Sequence, residues 1–436
     1  MKFYGLNGQQ WTNVIAAWSG WLMDGYVTII YALMAAYYLG SVFFPGNFGG
    51  SLLYLVLGLA VGAIARSVGS LVFGNYLGDK VGRRNMLMIT VIGFSIFSFL
   101  IGLLPPYATA GYFALAALYI LLFLVGLFAG AEYGGGTALY AETVPIEKRG
   151  PIGAFVQSGF GTGYFIAAGI FGLASLYYSD ADFINFAWRI IFFTTIIPGI
   201  IALVSRLGAR ETPVFQEMVE KMQVERSPVL KMLKENPLPI LFAVFITTGL
   251  LYINSATIGF YPFIMGPKIN NLSAVSSAKI LLLANFVSLI GVWLGGIIAN
   301  RIPGRRLAMM IFSLVFLIAL YPLSVLGIGK DVDTLYFAYG VESFLMAMIF
   351  STLPSYLAER FSKKYRSTSV GFTYNAGAII GGFAGTFIVL SKSFLGLLNG
   401  WFINIAIANV LLIVGLALSA ETWSKAKAGA RDIIQN

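Results

Sequence analysis

Apolar segments of about 20 residues follow one another along nearly the whole chain, and few folds accommodate such a pattern. Of the 436 residues, 58% are hydrophobic and 11% are charged, whereas a soluble domain has about 25% charged residues. A helix needs about 20 apolar residues to cross a bilayer. The sequence therefore predicts an all-α polytopic membrane protein with twelve transmembrane helices. The predicted spans are roughly 13–40, 51–78, 85–104, 114–141, 151–177, 189–207, 238–264, 279–299, 307–327, 335–358, 367–390 and 398–420.

Lysine and arginine are concentrated in alternate connections between the predicted spans. The N-terminal segment, residues 79–84, 143–149, 206–237, 300–306 and 359–366, and the C-terminal tail together hold 22 of the 28. The other connections hold five, and Arg66 lies within a span. Positively charged loops stay in the cytoplasm. We therefore expect a multi-pass protein of the cell membrane with both termini in the cytoplasm.

One polar segment, residues 208–237, is much longer than the other connections. Charged residues alternate there with apolar ones, as in a helix that lies on a surface. It separates six predicted spans from six. The sequence thus predicts an N-terminal six-helix bundle (1–207), a partly helical cytoplasmic linker (208–237), and a C-terminal six-helix bundle with a short cytoplasmic tail (238–436).

The loops on the two sides of this linker repeat one another. After the second span the chain reads G-N-Y-L-G-D-K-V-G-R-R (74–84), and after the eighth it reads G-I-I-A-N-R-I-P-G-R-R (296–306). After the fourth it reads A-E-T-V-P-I-E-K-R (141–149), and after the tenth A-E-R-F-S-K-K-Y-R (358–366). Similar sequences at matching places indicate that the two halves are related.

These motifs resemble the major facilitator superfamily over essentially the whole chain. The loop after the second span resembles that superfamily's signature, with Asp79, Gly82, Arg83 and Arg84 at its defining positions. The second copy has Asn300 in place of the acid and one extra residue, which leaves open whether the C-terminal half has an equivalent charge lock. The resemblance implies the major facilitator fold, in which two pseudo-symmetric six-helix bundles alternate access to a central site.

Three short strings resemble one branch of that superfamily, the metabolite:proton symporters, which include carriers of citrate, 2-oxoglutarate, shikimate and proline or betaine. The strings are R-S-V-G-S-L-V-F-G (66–74), G-A-E-Y-G-G (130–135), and W-R-I (188–190) followed by R-E-T-P-V-F (210–215). Span one, with D-G-Y at 24–26, is more similar to the aromatic-acid, lactate and phosphate:proton symporters. Both resemblances imply coupling to protons.

Charged residues in these loops lie where the resemblance implies a cytoplasmic gate. Acidic and basic side chains at helix ends pair with neighbouring helix termini, and such contacts can hold one side closed until the two halves rock. The alternative is that they only anchor short loops at the lipid headgroups. The predicted gate residues are Asp79, Arg83, Arg84, Glu142, Arg149, Arg305, Glu359 and Arg366.

Four charged residues lie well inside predicted spans, away from the span ends: Asp24, Arg66, Glu132 and Glu342. A charge at the bilayer centre costs about 3 kcal/mol, so such residues are candidates for function. The rise of the helix puts the first three near the middle of the membrane, where carriers bind substrate, and Glu342 nearer the outer surface. The chain has no histidine and no cysteine, so a carried proton is expected on a carboxylate, with tyrosine and lysine as the alternatives.

We predict that Asp24 or Glu132 is the titrating site. Arg66 is then its counter-charge or the anchor of a substrate carboxylate, because an arginine fork binds a carboxylate bidentately. Alternatively, Asp24 and Arg66 form a fixed ion pair that braces spans one and two, and Glu132 is only a neighbour of a tight helix crossing. For Glu342, an external gate and a snorkelling charge both remain open.

Polar residues at helical spacing predict further surfaces that face a wet central cavity. Each of them is also compatible with a hydrogen bond between helices. The predicted cavity-lining residues are Thr28, Tyr31, Tyr133, Gln157, Tyr164, Asn254, Tyr261, Asn285, Tyr374 and Asn375.

The sequence therefore favours a secondary active transporter that moves a small organic anion, of the mono- or dicarboxylate class, together with protons. A sugar, a zwitterion such as betaine or proline, and phosphate remain alternatives, as does a sensor derived from a transporter. An enzyme is not expected, because the chain has no metal-ligand cluster and no phosphate-binding loop. We expect no cofactor other than the coupling proton, a small-molecule substrate and the lipid bilayer as partners, no nucleic acid, and a monomer.

Overall fold

The computed structural model describes residues 4–44, 52–73, 82–221, 228–328, 331–362 and 365–422. The elements in this part of the chain are helices, and eleven helical stretches are long and apolar enough to cross a membrane. The first ten, here called spans one to ten, are Gly8–Phe43, Leu53–Phe73, Arg83–Ile101, Tyr112–Thr143, Ile146–Tyr177, Asp180–Gly208, Pro237–Met265, Ala274–Ala299, Arg305–Gly327 and Val332–Arg360.

The eleventh stretch, Arg366–Leu418, has 53 residues and contains two spans. Gly396 interrupts it with a φ of 75°, a conformation that favours glycine. The amide of Asn404 donates to the hydroxyl of Ser391 over 3.1 Å. Thirteen residues of continuous helix would separate those side chains by about 20 Å, so the chain reverses at Gly396. The predicted fold of twelve transmembrane helices is confirmed.

Several spans are broken near their middle. Span four consists of Tyr112–Ala129 and Glu132–Thr143, span seven of Pro237–Ala256 and Tyr261–Met265, and span ten of Val332–Phe350 and Leu353–Arg360. A proline occupies the first turn of the second helix in spans seven and ten, where its missing N–H leaves no hydrogen bond unmade. Because of the break, the two helices of one span can turn different sides towards the neighbouring spans.

The remaining helices follow the same plan. Span one is Gly8–Met34, extended by a π-helical turn, Ala35–Leu39, and by Gly40–Phe43. Spans two, three and five contain Leu52–Gly69, Arg83–Ile101 and Arg149–Tyr177, and span six contains Trp188–Phe193 and Ile196–Gly208. Span eleven contains Arg366–Gly382 and the first part of Ala384–Leu418, and span twelve contains the part of Ala384–Leu418 that follows the reversal at Gly396.

The halves meet along several pairs of helices. Span one packs along span five within the first half, and span eight packs along span ten within the second. Between the halves, span five packs on span eight and span two packs on span eleven. Two short helices, Pro213–Glu220 and Pro228–Glu235, lie between spans six and seven. A cavity at the centre is therefore bordered by both halves.

Candidate solute cavity and gates

The central cavity has a volume of about 150 Å³ and is lined by residues of both halves. Asn254 and Tyr374 also line a second cavity of about 50 Å³ beside it, so the two form one region. Of the predicted lining residues, the larger cavity has Thr28, Tyr31, Tyr164, Asn254 and Tyr374 and the smaller one has Gln157 and Asn285; Asp24 and Arg66, predicted to handle the proton or the substrate, also line the larger cavity.

Asp24 and Arg66 form a bidentate ion pair at the wall of the larger cavity. Arg66 Nη1 donates to Asp24 Oδ2 over 2.8 Å, and Nη2 donates to Oδ1. The Arg66 side chain is 18% exposed and that of Asp24 is 1% exposed. The guanidinium is thus the part of the pair that a bound solute can reach.

Glu132 lies apart from this pair, inside the first half. Its carboxylate receives two hydrogen bonds from Arg206, one of 3.1 Å, and one of 2.7 Å from the Thr90 hydroxyl. The Glu132 and Arg206 side chains are 2% and 1% exposed. Span one gives them room at Gly20, where a Cβ atom would lie 2.5 Å from the Glu132 carboxylate. Asp24, Arg66 and Glu132, all predicted to lie near the middle of the membrane, thus belong to two separate ion pairs.

Sequence reasoning missed Arg206, which it counted among the charges of the cytoplasmic connections. Arg206 lies in the last turn of the helix Ile196–Gly208, and its side chain is buried. The available signal was a lone arginine at the end of an otherwise apolar run. A long side chain can extend from a helix end into the bundle as well as towards the headgroups, so position along the chain did not decide its partner.

Three predicted lining residues, Tyr133, Tyr261 and Asn375, do not line these two cavities. The Tyr133 ring stacks on Tyr374 with 3.6 Å between ring centroids, and Tyr133 lines a separate space of about 10 Å³. Asn375 is turned towards span four and donates to the carbonyl of Gly130 over 2.8 Å. Tyr261 follows the break of span seven, which turns it into the second half, away from the cavity.

The sequence also gave no weight to Trp21, which borders the smaller cavity. Its ring contacts Tyr133 at 4.8 Å and both Phe160 and Tyr374 at 5.7 Å, measured between centroids. In an apolar span a tryptophan is indistinguishable from a lipid-facing one until its neighbours are known. These rings form an aromatic wall next to the Asp24–Arg66 pair.

A family model of the Major Facilitator Superfamily matches residues 14–386. The chain belongs to the major facilitator superfamily. Among curated proteins, it is 30% identical over 374 residues to the inner membrane metabolite transport protein YhjE of Escherichia coli, with 84% of each chain covered. It is 26% identical over 386 residues to the shikimate transporter of the same organism, again with 84% coverage of each. It is 38% identical to the E. coli proline/betaine transporter over 213 residues, 48% of this chain and 42% of that one.

The fold matches solved structures of the same superfamily. The proton:xylose symporter XylE bound to 6-bromo-6-deoxy-D-glucose superposes with a TM-score of 0.75 at 17% identity, covering 96% of this chain and 98% of that chain. A partially occluded, inward-open form of XylE from E. coli gives a TM-score of 0.69 at 16% identity, with coverages of 95% and 99%. This major facilitator protein is thus a multi-pass membrane protein and a secondary transporter, and it is not an enzyme.

In this major facilitator protein the two halves touch at the face where span one begins and span twelve ends, here called the terminal face. Arg366 Nη1 lies 3.6 Å from the Glu142 carboxylate of the other half. The Ser355 hydroxyl donates to the carbonyl of Arg149 over 2.8 Å. Glu142, Arg149 and Arg366, which the sequence predicted as gate residues, therefore lie at the contact between the halves.

Spans four and eleven approach even more closely above these contacts. A Cβ atom on Gly134 would lie 2.7 Å from the Cα atom of Gly371, so the crossing requires glycine. The Asn375 amide reaches Gly130 here, and the Ser67 hydroxyl donates to the Asn375 carbonyl over 2.5 Å. Backbone contact of this kind closes the cavity towards the terminal face.

A cluster of hydrogen bonds, here called a lock, joins three spans of the first half at the terminal face. Arg83 Nη2 lies 3.5 Å from Glu142 Oε1, and the Thr212 hydroxyl donates to Glu142 Oε2 over 2.6 Å. The Glu211 carboxylate accepts the backbone N–H of Arg84 over 3.2 Å. Glu211 and Thr212, here called the Glu-Thr pair, follow span six and thus join the start of span three to the end of span four.

The second half repeats this lock with equivalent residues. Arg305 donates to both oxygens of Glu359 over 3.1 and 3.3 Å, and the Thr422 hydroxyl donates to the same carboxylate over 3.1 Å. The Glu421 carboxylate accepts the backbone N–H of Arg306 over 3.2 Å. The second Glu-Thr pair, Glu421 and Thr422, follows span twelve and was not predicted from the sequence.

Replacement of the signature's acid by Asn300 does not remove the lock of the second half, because Glu359 provides its carboxylate. Asp79, the predicted acid of the first half, lies outside the described residues. Of the other predicted gate residues, Arg83 and Arg305 belong to the locks, while Arg84 donates to backbone carbonyls of Arg206 and Leu207.

The opposite face, here called the distal face, is closed by contacts between the same halves. The Tyr164 hydroxyl donates to the carbonyl of Ile258 over 2.7 Å. The Tyr37 hydroxyl bonds to that of Ser277 and lies 3.4 Å from the carbonyl of Leu272. In the described part of the chain, contacts between the two halves are therefore present on both sides of the cavity.

Proposed function

We propose that this protein is a proton-coupled symporter of a small organic anion of the mono- or dicarboxylate class. The observation that carries the proposal is the Asp24–Arg66 pair, with a buried carboxylate and a guanidinium that borders the cavity. Arg66 can bind a carboxylate through two parallel hydrogen bonds. Asp24 already occupies this fork, so a solute carboxylate must compete with it.

Protonation of Asp24 would resolve this competition. A proton cancels the charge of Asp24 and leaves the Arg66 guanidinium in need of an anion, because an unpaired charge at this depth is costly. Conversely, a solute carboxylate on Arg66 favours the protonated form of Asp24. Binding of the proton and binding of the anion therefore favour each other. This reciprocal linkage couples the proton gradient to the gradient of the anion. The positive-inside rule supports an orientation with the terminal face in the cytoplasm of the cell.

A second candidate is a zwitterionic solute. It would use Asp24 for its cationic group and Arg66 for its carboxylate, while Trp21 and Tyr374 offer aromatic faces for a cation. The name of one relative, the proline/betaine transporter, agrees with this class. A thermal-stability screen of the purified protein with carboxylates, betaines and sugars at several pH values distinguishes these classes by which one stabilises.

The coupling is tested by uptake into proteoliposomes under an imposed pH gradient. One pH unit is worth about 1.4 kcal/mol, so one-to-one symport accumulates the solute up to about tenfold. Asp24→Asn should exchange solute across the membrane without accumulating it, and Arg66→Ala should lose binding of the carboxylate. Glu217→Gln, on the exposed linker helix, is the control. Full accumulation by Asp24→Asn, or none by the unmodified protein, would overturn the proposal.

A further inference from the structure

Glu342, in the middle of span ten, is the exception among the buried acids. The other acidic residues that are buried in the described part of the chain, Asp24, Glu132 and Glu359, each form an ion pair with an arginine. Glu342 is 0% exposed and forms no ion pair there. The Tyr261 hydroxyl donates to its Oε2 over 2.6 Å, and its Oε1 has no hydrogen-bond partner.

The helices around Glu342 offer no cation to neutralise it. Span seven carries no charged residue, span eight carries only the exposed Lys279, and span nine carries only Arg305 and Arg306 at its terminal-face end. The titratable groups that face this carboxyl are the neutral phenols of Tyr261 and Tyr339, followed by those of Tyr37 and Tyr164, which interact with Tyr339. An ionised carboxylate in such surroundings would be isolated, and isolated buried charges are strongly disfavoured.

We propose that Glu342 is a second proton-binding site, which holds a proton while the distal face is closed and releases it to water when that face opens. The proton sits on one carboxyl oxygen and leaves to water at the distal face. It returns from that water before closure, so the step is balanced in charge and atoms.

Tyr261 connects this carboxyl to the contact between the halves. It begins the short helix Tyr261–Met265, just after the break at Thr257. Ile258, in that break, accepts the Tyr164 hydrogen bond between the two halves at the wall of the cavity. At the other end of the short helix, a Cβ atom on Gly266 would lie 3.4 Å from the Ala36 carbonyl of span one. The segment that bonds Glu342 thus closes the distal face.

Opening of the distal face therefore changes the environment of Glu342. If the segment around Tyr261 moves with the contact it makes to the first half, the carboxyl loses its one hydrogen bond and meets water. A hydrated carboxyl group releases its proton readily, whereas burial in the closed state disfavours the ionised form. High pH on the distal side should therefore favour the open state, independently of Asp24 at the cavity.

The experiment uses the absence of cysteine from the chain. A single Ser255→Cys, at the cavity wall, reports opening of the distal face through its labelling by an impermeant thiol reagent in right-side-out vesicles. Tyr177→Cys, where the native side chain is 83% exposed, corrects for the pH dependence of the thiol itself. With Asp24→Asn added to remove the other proton site, we expect the corrected rate to rise about threefold or more between pH 5 and pH 9.

Glu342→Gln should abolish this rise and keep the rate at its low-pH value, because glutamine mimics the protonated carboxyl. Tyr261→Phe keeps the carboxyl and should keep a pH response with a displaced midpoint. A full response in Glu342→Gln, a flat response in the reporter protein, or an unchanged midpoint in Tyr261→Phe would each overturn the proposal. Because the assay needs neither substrate nor a pH gradient, its failure is distinct from failure of Asp24-dependent symport.

Discussion

Removing one member of the Glu132–Arg206 pair should destabilise the protein strongly. Both side chains are almost completely buried, so Arg206→Met leaves a carboxylate with only the Thr90 hydroxyl, and Glu132→Gln leaves a guanidinium without a counter-charge. Breaking a buried ion pair in this way costs about 3–5 kcal/mol. The double variant removes both charges and should cost clearly less than the sum of the single variants.

Equilibrium unfolding in mixed micelles, titrated with sodium dodecyl sulfate and followed by circular dichroism, measures these free energies. The matched control is the Lys221–Glu217 pair, whose side chains are 57% and 56% exposed. Such a pair on a helix surface contributes about 0.3–0.5 kcal/mol. Single variants of the buried pair that lose no more than Glu217→Gln would refute the reasoning.

The same variants distinguish a structural Glu132 from a proton-carrying one. If Glu132 supports the first half only through Arg206, the combined Glu132→Gln and Arg206→Met protein should still accumulate solute under a pH gradient. Loss of accumulation by a double variant that is otherwise stable would make Glu132 part of the coupling, as one reading of the sequence had it.

Three further changes act on the cavity and on the terminal face. Gly134→Ala places a methyl group against the backbone of Gly371, so it should open the terminal face and raise labelling of a cavity cysteine from that side. Glu142→Gln weakens the contact with Arg366, and the same labelling should rise about twofold or more, whereas a fall in either variant would contradict the assigned closure. Arg66→Lys keeps the charge but loses the bidentate fork, so solute affinity should fall about tenfold, and unchanged affinity would exclude a bidentate contact.

The fold could be predicted because its causes are local and repeated. Each span is an apolar run whose length matches the thickness of the bilayer, and the similar loop motifs at 74–84 and 296–306 indicate the duplication. The predicted break between the last two spans, at residues 391–397, contains Gly396, although a single glycine in an apolar run also occurs within continuous helices. The φ of 75° that makes it a turn depends on how the two spans pack.

The site could be predicted only in part, because side-chain partners depend on helix rotation and on helix breaks. Asp24 and Arg66 lie in neighbouring spans at similar depth, and their pairing follows. Arg206 could not be assigned to Glu132 without knowing that Gly20 leaves room for both. Tyr261 was placed at the cavity by the periodicity of a continuous helix, which the break of span seven interrupts.

Each half of the molecule has its own Glu-Thr lock, whose hydrogen bonds join residues of that half. Glu142 also contacts Arg366 of the other half, but the hydrogen bonds within each lock do not depend on covalent continuity through the linker. A protein severed between Lys221 and Pro228 should therefore yield two polypeptides that are each braced before they meet. Co-expression of the two fragments should restore a working carrier through helix packing alone.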